Sequence, residues 1–239
     1  MRYRFQLPLA VLISLLMTTC TNDRVSTAYA DKFPAIQSRL QQQGIAAGFQ
    51  VFFRVFKQEK TLELWVKGHG QARFTMLATY PICKASGLPG PKRKEGDQQV
   101  PEGFYFINRF NPKSQFHLSL GLNYPNESDL RLSDRDRPGG DIFIHGGCES
   151  IGCMAMTDDS IKEIYVIASE AKKHGQSQIP VHIFPVRMDG EGFDALCAQQ
   201  AQLKDFWLNL KAGYDLFEAH AEIPTFVVDE NGLYQFTVL

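Results

Sequence analysis

The chain has 239 residues and a mass of 27.0 kDa, enough for one well-filled core with elaborations. Lys and Arg number 25 against 26 Asp and Glu, a formal net charge of −1 that argues against a nucleic-acid partner, which needs a basic domain or stripe. Hydrophobic residues at 44%, with 18 Phe, exclude a disordered chain.

The N-terminus reads as an export signal. Arg2 and Arg4 form a basic stretch before an apolar run over residues 7–17, which has signal-peptide length and is too short to span a membrane. Ala28-Tyr29-Ala30 offers a small-residue cleavage site, so residues 1–30 are expected to leave and Asp31 to begin the mature chain. Cys20 follows the apolar run. Met17-Thr18-Thr19 departs from the Leu-Ala-Gly type of sequence that precedes a lipidated cysteine, so a lipoprotein form is not expected.

Residues 31–48 form a helical lead-in, with a helix over 33–43 stopped by Gly44. From residue 49 the pattern turns strand-like. Residues 50–56 are rich in β-branched and aromatic side chains, residues 61–66 alternate, and 57–60 make the hairpin turn between them. Residues 74–83 give a third strand. The Gly/Pro-rich loop over 86–102 exceeds a usual connection and reads as functional. Strands follow over 103–110 and 116–122, then a polar loop over 124–140 and an apolar run over 142–145. Helix signals come after that run. Ser160-Ile161-Lys162-Glu163 fits a capping box, and His174-Gly175 supplies a stop. Residues 181–184 are another strand, 194–210 a second helix with Gly213 as its cap, and 233–238 a short terminal strand. No linker divides residues 49–239, which read as a single, mainly β domain with helices added late.

The chemistry concentrates in residues 142–156. A potential base, His145, and a potential nucleophile, Cys153, share one short glycine-rich segment after the apolar run. A thiolate attacks carbonyls far better than a thiol, and an imidazole can hold the thiol proton. Two other readings compete. His145, Cys148 and Cys153 have spacings a metal could use, but no fourth ligand lies nearby. Cys148 and Cys153 could close a small disulfide loop, which is geometrically disfavoured and would silence the nucleophile. Without the signal, Cys83, Cys148, Cys153 and Cys197 remain, and four cysteines allow three connectivities. A free Cys153 leaves at most one bridge, with Cys83–Cys148 the first pair to look for. His69, His117, His174 and His182 read as structural or solvated. No metal site or cofactor is expected.

These residues resemble the YkuD family of L,D-transpeptidases, and within it the YafK-like branch of periplasmic murein enzymes. The segment IFIHGGCESIGCMAM matches the signature of a His-Gly followed by Ser-x-Gly-Cys. Cys83-Lys84-Ala85-Ser86-Gly87, Glu95-Gly96-Asp97, Pro101-Glu102-Gly103-Phe104-Tyr105, Phe206-Trp207 and Gly213-Tyr214-Asp215 extend the likeness over roughly residues 49–217. The resemblance implies a β-sandwich or barrel of the L,D-transpeptidase catalytic type with C-terminal helices, acting in the periplasm on peptidoglycan stem peptides. It implies Cys153 as nucleophile and His145 as general base, oriented by the carbonyl of Gly146 or Gly147. It also implies a turn shaped by Ser150 and an oxyanion held by the N–H groups of Gly152 and Cys153. Lys84 and Lys92 are candidates for stem carboxylates or for a solvated loop face, and Tyr105 for packing or the substrate rim. Two departures stand out. Ile151 replaces a histidine common in the family, and Ala155 replaces an arginine that would clamp a carboxylate. The branch implies hydrolysis of the amide between the stem and the C-terminal lysine of the outer-membrane murein lipoprotein. Formation of 3-3 cross-links, lipoprotein anchoring, or a silent murein-binding module are the alternatives.

Overall fold

The computed structural model describes residues 23–237. The apolar run of the expected signal and Cys20 lie outside the described residues. Helix α1 (Arg24–Gln42) starts well before the expected helix, because Asp23 caps it through a carboxylate that accepts from the Val25 N–H. The small-residue site Ala28-Tyr29-Ala30 therefore falls inside a helix, and Ala28 is fully buried.

A hairpin of β1 (Phe49–Phe56) and β2 (Thr61–Gly68) follows, then β3 (Thr75–Pro81) and the short β4 (Lys84–Ala85). Together with β5 (Gly103–Asn111), β6 (Ser119–Leu122), β7 (Phe143–His145), β8 (Met154–Ala155) and β9 (Ile179–Phe184), they form one curled, mixed sheet of nine strands. Its order is β3-β2-β1-β9-β5-β6-β7-β8-β4. The strand expected over 116–122 is shorter at its start, because His117 takes a left-handed φ of 66°.

Strand alternation sorts the side chains onto two faces. One face, with Val51, Phe53, Ile107, Leu120, Ile144 and Val181, packs against α1 and α3 (Asp158–Lys173). The other carries Phe56, Phe104 and Phe184 against Trp207 and Tyr214 of α5 (Lys204–His220). This arrangement agrees with the expected β-rich fold with added helices. Helices also occur where none was expected. Asn126 and Asp129 form a capping box that starts α2 (Glu127–Leu132) inside the polar loop. Thr157, one turn before Ser160, caps α3.

The single helix expected over 194–210 is two: α4 (Glu191–Gln199) and α5, joined through a 3-10 turn at Ala201–Leu203. Gly213 lies within α5 rather than ending it. A Cβ there would stand 2.5 Å from Phe236 and 2.6 Å from Phe104, so this glycine serves close packing against the terminal hairpin of β10 (Thr225–Val228) and β11 (Tyr234–Thr237). Among the described residues no helix is long and apolar enough to cross a membrane.

Candidate active site

β7 and β8 are parallel neighbours joined by the short loop 146–153, so the chain must double back before β8 begins. The pairs Ile144↔Met154 and His145↔Ala155 then set Cys153 beside Phe143. Alternation puts Phe143, His145 and Cys153 on one face, with the α-carbons of His145 and Cys153 on a diagonal of about 8 Å. Both side chains line one cleft of about 300 Å³, together with Phe116, Ser119, Asp141 and Ile151.

The loop is held from several sides. Ser150 Oγ accepts from the N–H groups of Gly152 (3.2 Å) and Cys153 (3.0 Å) and donates to the Cys153 carbonyl (2.7 Å). Cys148 is disulfide-bonded to Cys83, tying the loop to the segment between β3 and β4. The Gly147 N–H donates to Asp158 Oδ1 at 2.8 Å. Gly146 has no room for a side chain, since a Cβ would lie 2.6 Å from Asp158 Oδ1 and 3.0 Å from His117 Cβ.

His145 is buried, and its Nδ1 lies 2.6 Å from the Gly146 carbonyl. A carbonyl only accepts, so Nδ1 carries the proton and Nε2 keeps a free lone pair. Burial lowers the imidazole pKa, against the opposing pull of the Gly146 carbonyl, so the ring is neutral at neutral pH. Phe116 lies over the ring at 4.8 Å. The Cys153 thiol donates to the Asp141 carbonyl at 3.6 Å. Burial raises its pKa, the Phe143 backbone pulls the other way, and Asp141 adds to the rise. At rest the cysteine is a thiol, not the low-pKa thiolate an activated enzyme would display.

Of the expected site residues, Cys153, His145, Gly146, Ser150 and Gly152 come together on this loop. The expected oxyanion donors are turned inward at rest, because Ser150 Oγ holds both N–H groups. Lys84 pairs with Ala155 and is exposed in the same cross-strand row as His145, two strands away. Lys92 is no free carboxylate receptor: it is buried, and its Nζ bonds Asp97 Oδ1 (2.6 Å) and the Lys94 carbonyl (2.8 Å). Tyr105 is not at the rim of this cleft. It is buried on the far side of β5, with its hydroxyl donating to Asp129 Oδ2 at 2.9 Å. Cys148 is bonded to Cys83 while Cys153 is free, which removes the disulfide that would have silenced the thiol.

The sequence reading missed the walls of the cleft. Asp141 adopts a left-handed φ of 53° that turns its carbonyl toward Cys153. Arg109 on β5 pairs with Asp141 at 2.9 Å and stacks over the Phe143 ring at 4.7 Å. The cue for Arg109 was its place on a strand rather than in a motif, and pairing partners are not readable from one sequence.

The profile of the YkuD L,D-transpeptidase catalytic domain matches residues 51–183, which span every strand from β2 to β8 and the whole Cys153 loop. The chain belongs to the YkuD family. "Putative L,D-transpeptidase YafK" of Escherichia coli K12 is 35% identical over 228 residues, covering 95% of this chain and 89% of that one. The protein of the same name from E. coli O157:H7 matches equally. Among solved structures, the helical cell shape determining protein Pgp2 of Campylobacter jejuni aligns with a TM-score of 0.44 at 22% identity, over 57% of this chain and 48% of that one. Bd1075 of Bdellovibrio bacteriovorus aligns with a TM-score of 0.41 at 24% identity, over the same shares of each chain. This YkuD chain thus spans about half the length of those two structures.

Proposed function

We propose that this YkuD-family chain is an exported, periplasmic cysteine acyl-transfer enzyme. Its reaction is hydrolysis of the amide between diaminopimelate of a peptidoglycan stem and the C-terminal lysine of the outer-membrane murein lipoprotein. The observation that carries the reading is the shared cleft of Cys153 and His145, in which Nδ1 is fixed by Gly146 and Nε2 is left to take a proton. Rotation about the Cys153 Cα–Cβ bond moves Sγ from the Asp141 carbonyl toward His145, which accepts the thiol proton. The thiolate adds to the carbonyl at the L-centre of diaminopimelate. Collapse breaks the C–N bond, His145 protonates the departing lysine amine, and a thioester remains. Water, deprotonated by His145, then cleaves the thioester, releasing the stem carboxylate and restoring the thiol. The N–H groups of Gly152 and Cys153 stabilise the oxyanion once Ser150 Oγ gives them up.

Ala155 favours hydrolysis over 3-3 cross-linking. Ala155 is fully buried in the sheet, so the carboxylate clamp many family members carry at this position is missing. The test is mass spectrometry of muropeptides from lipoprotein-bearing sacculi treated with wild-type or Cys153→Ala protein. Loss of the lysine adduct with wild type alone supports the amidase. New diaminopimelate–diaminopimelate cross-links would make it a transpeptidase, and no change with either protein would sink both.

A further inference from the structure

The catalytic cleft is one end of a longer strip. In β6, Ser119 pairs with His145 and Gly121 with Phe143, so both lie on the catalytic face. An irregularity in β5 between Ile107 and Arg109 keeps Arg109 opposite Gly121 and Asn111 opposite Ser119 on that same face. Alternation continues the face to Asn123 on the chain beyond β6 and to Phe106 on β5. There it meets a second cavity of about 560 Å³, roofed by Phe226 and Val228 of β10. Asn123 lies about 13 Å along the strand direction from Ser119. The exposed Arg109 stands between the two cavities.

The lining of this second cavity has a definite chemical character. Phe106 and Phe226 offer half-buried ring faces. Asn123 Oδ1 is spent on the Phe106 N–H at 2.7 Å, which leaves its NH₂ group to a ligand, and the exposed Gln178 side chain stands at the mouth. His182 lines the floor, almost fully buried, with an Nδ1 that has no hydrogen-bond partner. The lining holds one carboxylate, Glu127, and no Lys or Arg, so it repels rather than receives the carboxylates of a stem peptide. Apolar ring faces beside amide donors and acceptors and one carboxylate acceptor fit a neutral, hydroxyl-rich ring.

We propose that this cavity is a saccharide subsite that holds an N-acetylated sugar of the glycan strand while its stem peptide runs past Arg109 to Cys153. The inference rests on the murein reading above but concerns binding, not turnover. The test is titration of the wild-type full chain with a tetramer of N-acetylglucosamine, followed by NMR and calorimetry. Saturable binding is expected, with shifts at Asn123, Gln178 and Phe226. Phe106→Ala should weaken it about tenfold and Gln178→Ala, an exposed position with no packing role, about threefold. A peptide-only stem should leave these signals unmoved. The proposal falls if the tetramer does not saturate at millimolar concentration, if neither variant weakens binding, or if the stem peptide occupies the cavity instead. Because the tetramer contains no amide that the enzyme would cleave, failure of the amidase reading leaves this result standing, and an active amidase that ignores the tetramer refutes it.

Discussion

A thiol resting against the Asp141 carbonyl must lose its proton before it can attack. Burial holds the Cys153 pKa above its ordinary value while burial lowers that of His145, so no thiolate–imidazolium pair forms at rest. The sign of the pH dependence follows. Alkylation of Cys153 by iodoacetamide should accelerate with rising pH through a single ionisation above the usual thiol value of 9.0. A plateau already reached near pH 6 would instead reveal a preformed ion pair and overturn this resting state. Gly146 is the second residue on which the site turns. Gly146→Ala drives a methyl group into Asp158 Oδ1, which holds Gly147, and displaces the carbonyl that orients His145. Loss of about 10²-fold or more in turnover is expected, in keeping with misplacement of a catalytic group. Retention of the Cys153 alkylation rate in the same variant would localise the damage to the base.

At the scale of elements, the disulfide and β9 carry separate predictions. Cys83–Cys148 closes a loop with a sequence separation of 65, and a bridge of that span stabilises by up to about 4 kcal/mol in the chain-entropy account. Cys83→Ser with Cys148→Ser should lower the unfolding free energy by a few kcal/mol. It should also slow turnover, because Cys148 is part of the loop that places Cys153. Equal activity at full stability would show that the bridge does not brace the loop. In β9, burial and the Arg54 charge depress the His182 pKa to about 3. The unfolded chain takes up this proton near pH 6.5 and the folded chain does not, so stability is complete above that pH and is lost as pH falls toward 3. The slope from this group is about 1.4 kcal/mol per pH unit, and His182→Phe should flatten it in pH-dependent denaturation curves. An unchanged slope would assign the acid sensitivity to carboxylates. These elements also show what a single sequence can disclose. β1, β2, β5 and β9 were legible because dense apolar and aromatic runs fix a strand whatever it pairs with. The His145 loop was legible because its spacing carries its own chemistry. The short α2 was hidden, because its capping box lies in a polar stretch with no apolar stripe behind it. The buried role of Lys92 was hidden too, since ion-pair partners depend on how a loop folds back.

For the whole molecule, the decisive question is where the folded unit begins. α1 lies across the sheet with Ala28, Ile36 and Leu40 in the main core, and Tyr29 donates to Glu170 of α3 at 2.7 Å. At its first residue the Arg24 guanidinium donates to the carbonyls of Ser114 and His117. Between those two residues stands Phe116, whose ring covers His145. The start of the helix therefore braces one wall of the cleft that holds His145 and Cys153. A chain beginning at Asp31 loses Arg24, the Asp23 cap, the buried Ala28 and the Tyr29 hydrogen bond together. Such losses sum to about 2–4 kcal/mol, or roughly 5–10 °C in Tm for a domain of this size. A chain beginning at Asp23 keeps them all. The two proteins should differ by that interval in a thermal melt, and the shorter should turn over more slowly because Phe116 is released. If a leader is removed on export, this packing stays whole only with a cut upstream of Asp23, and the intact mass of the processed protein tests that. A mature start at Asp31 with an undiminished Tm would show that the first turns of α1 contribute nothing to either the core or the cleft.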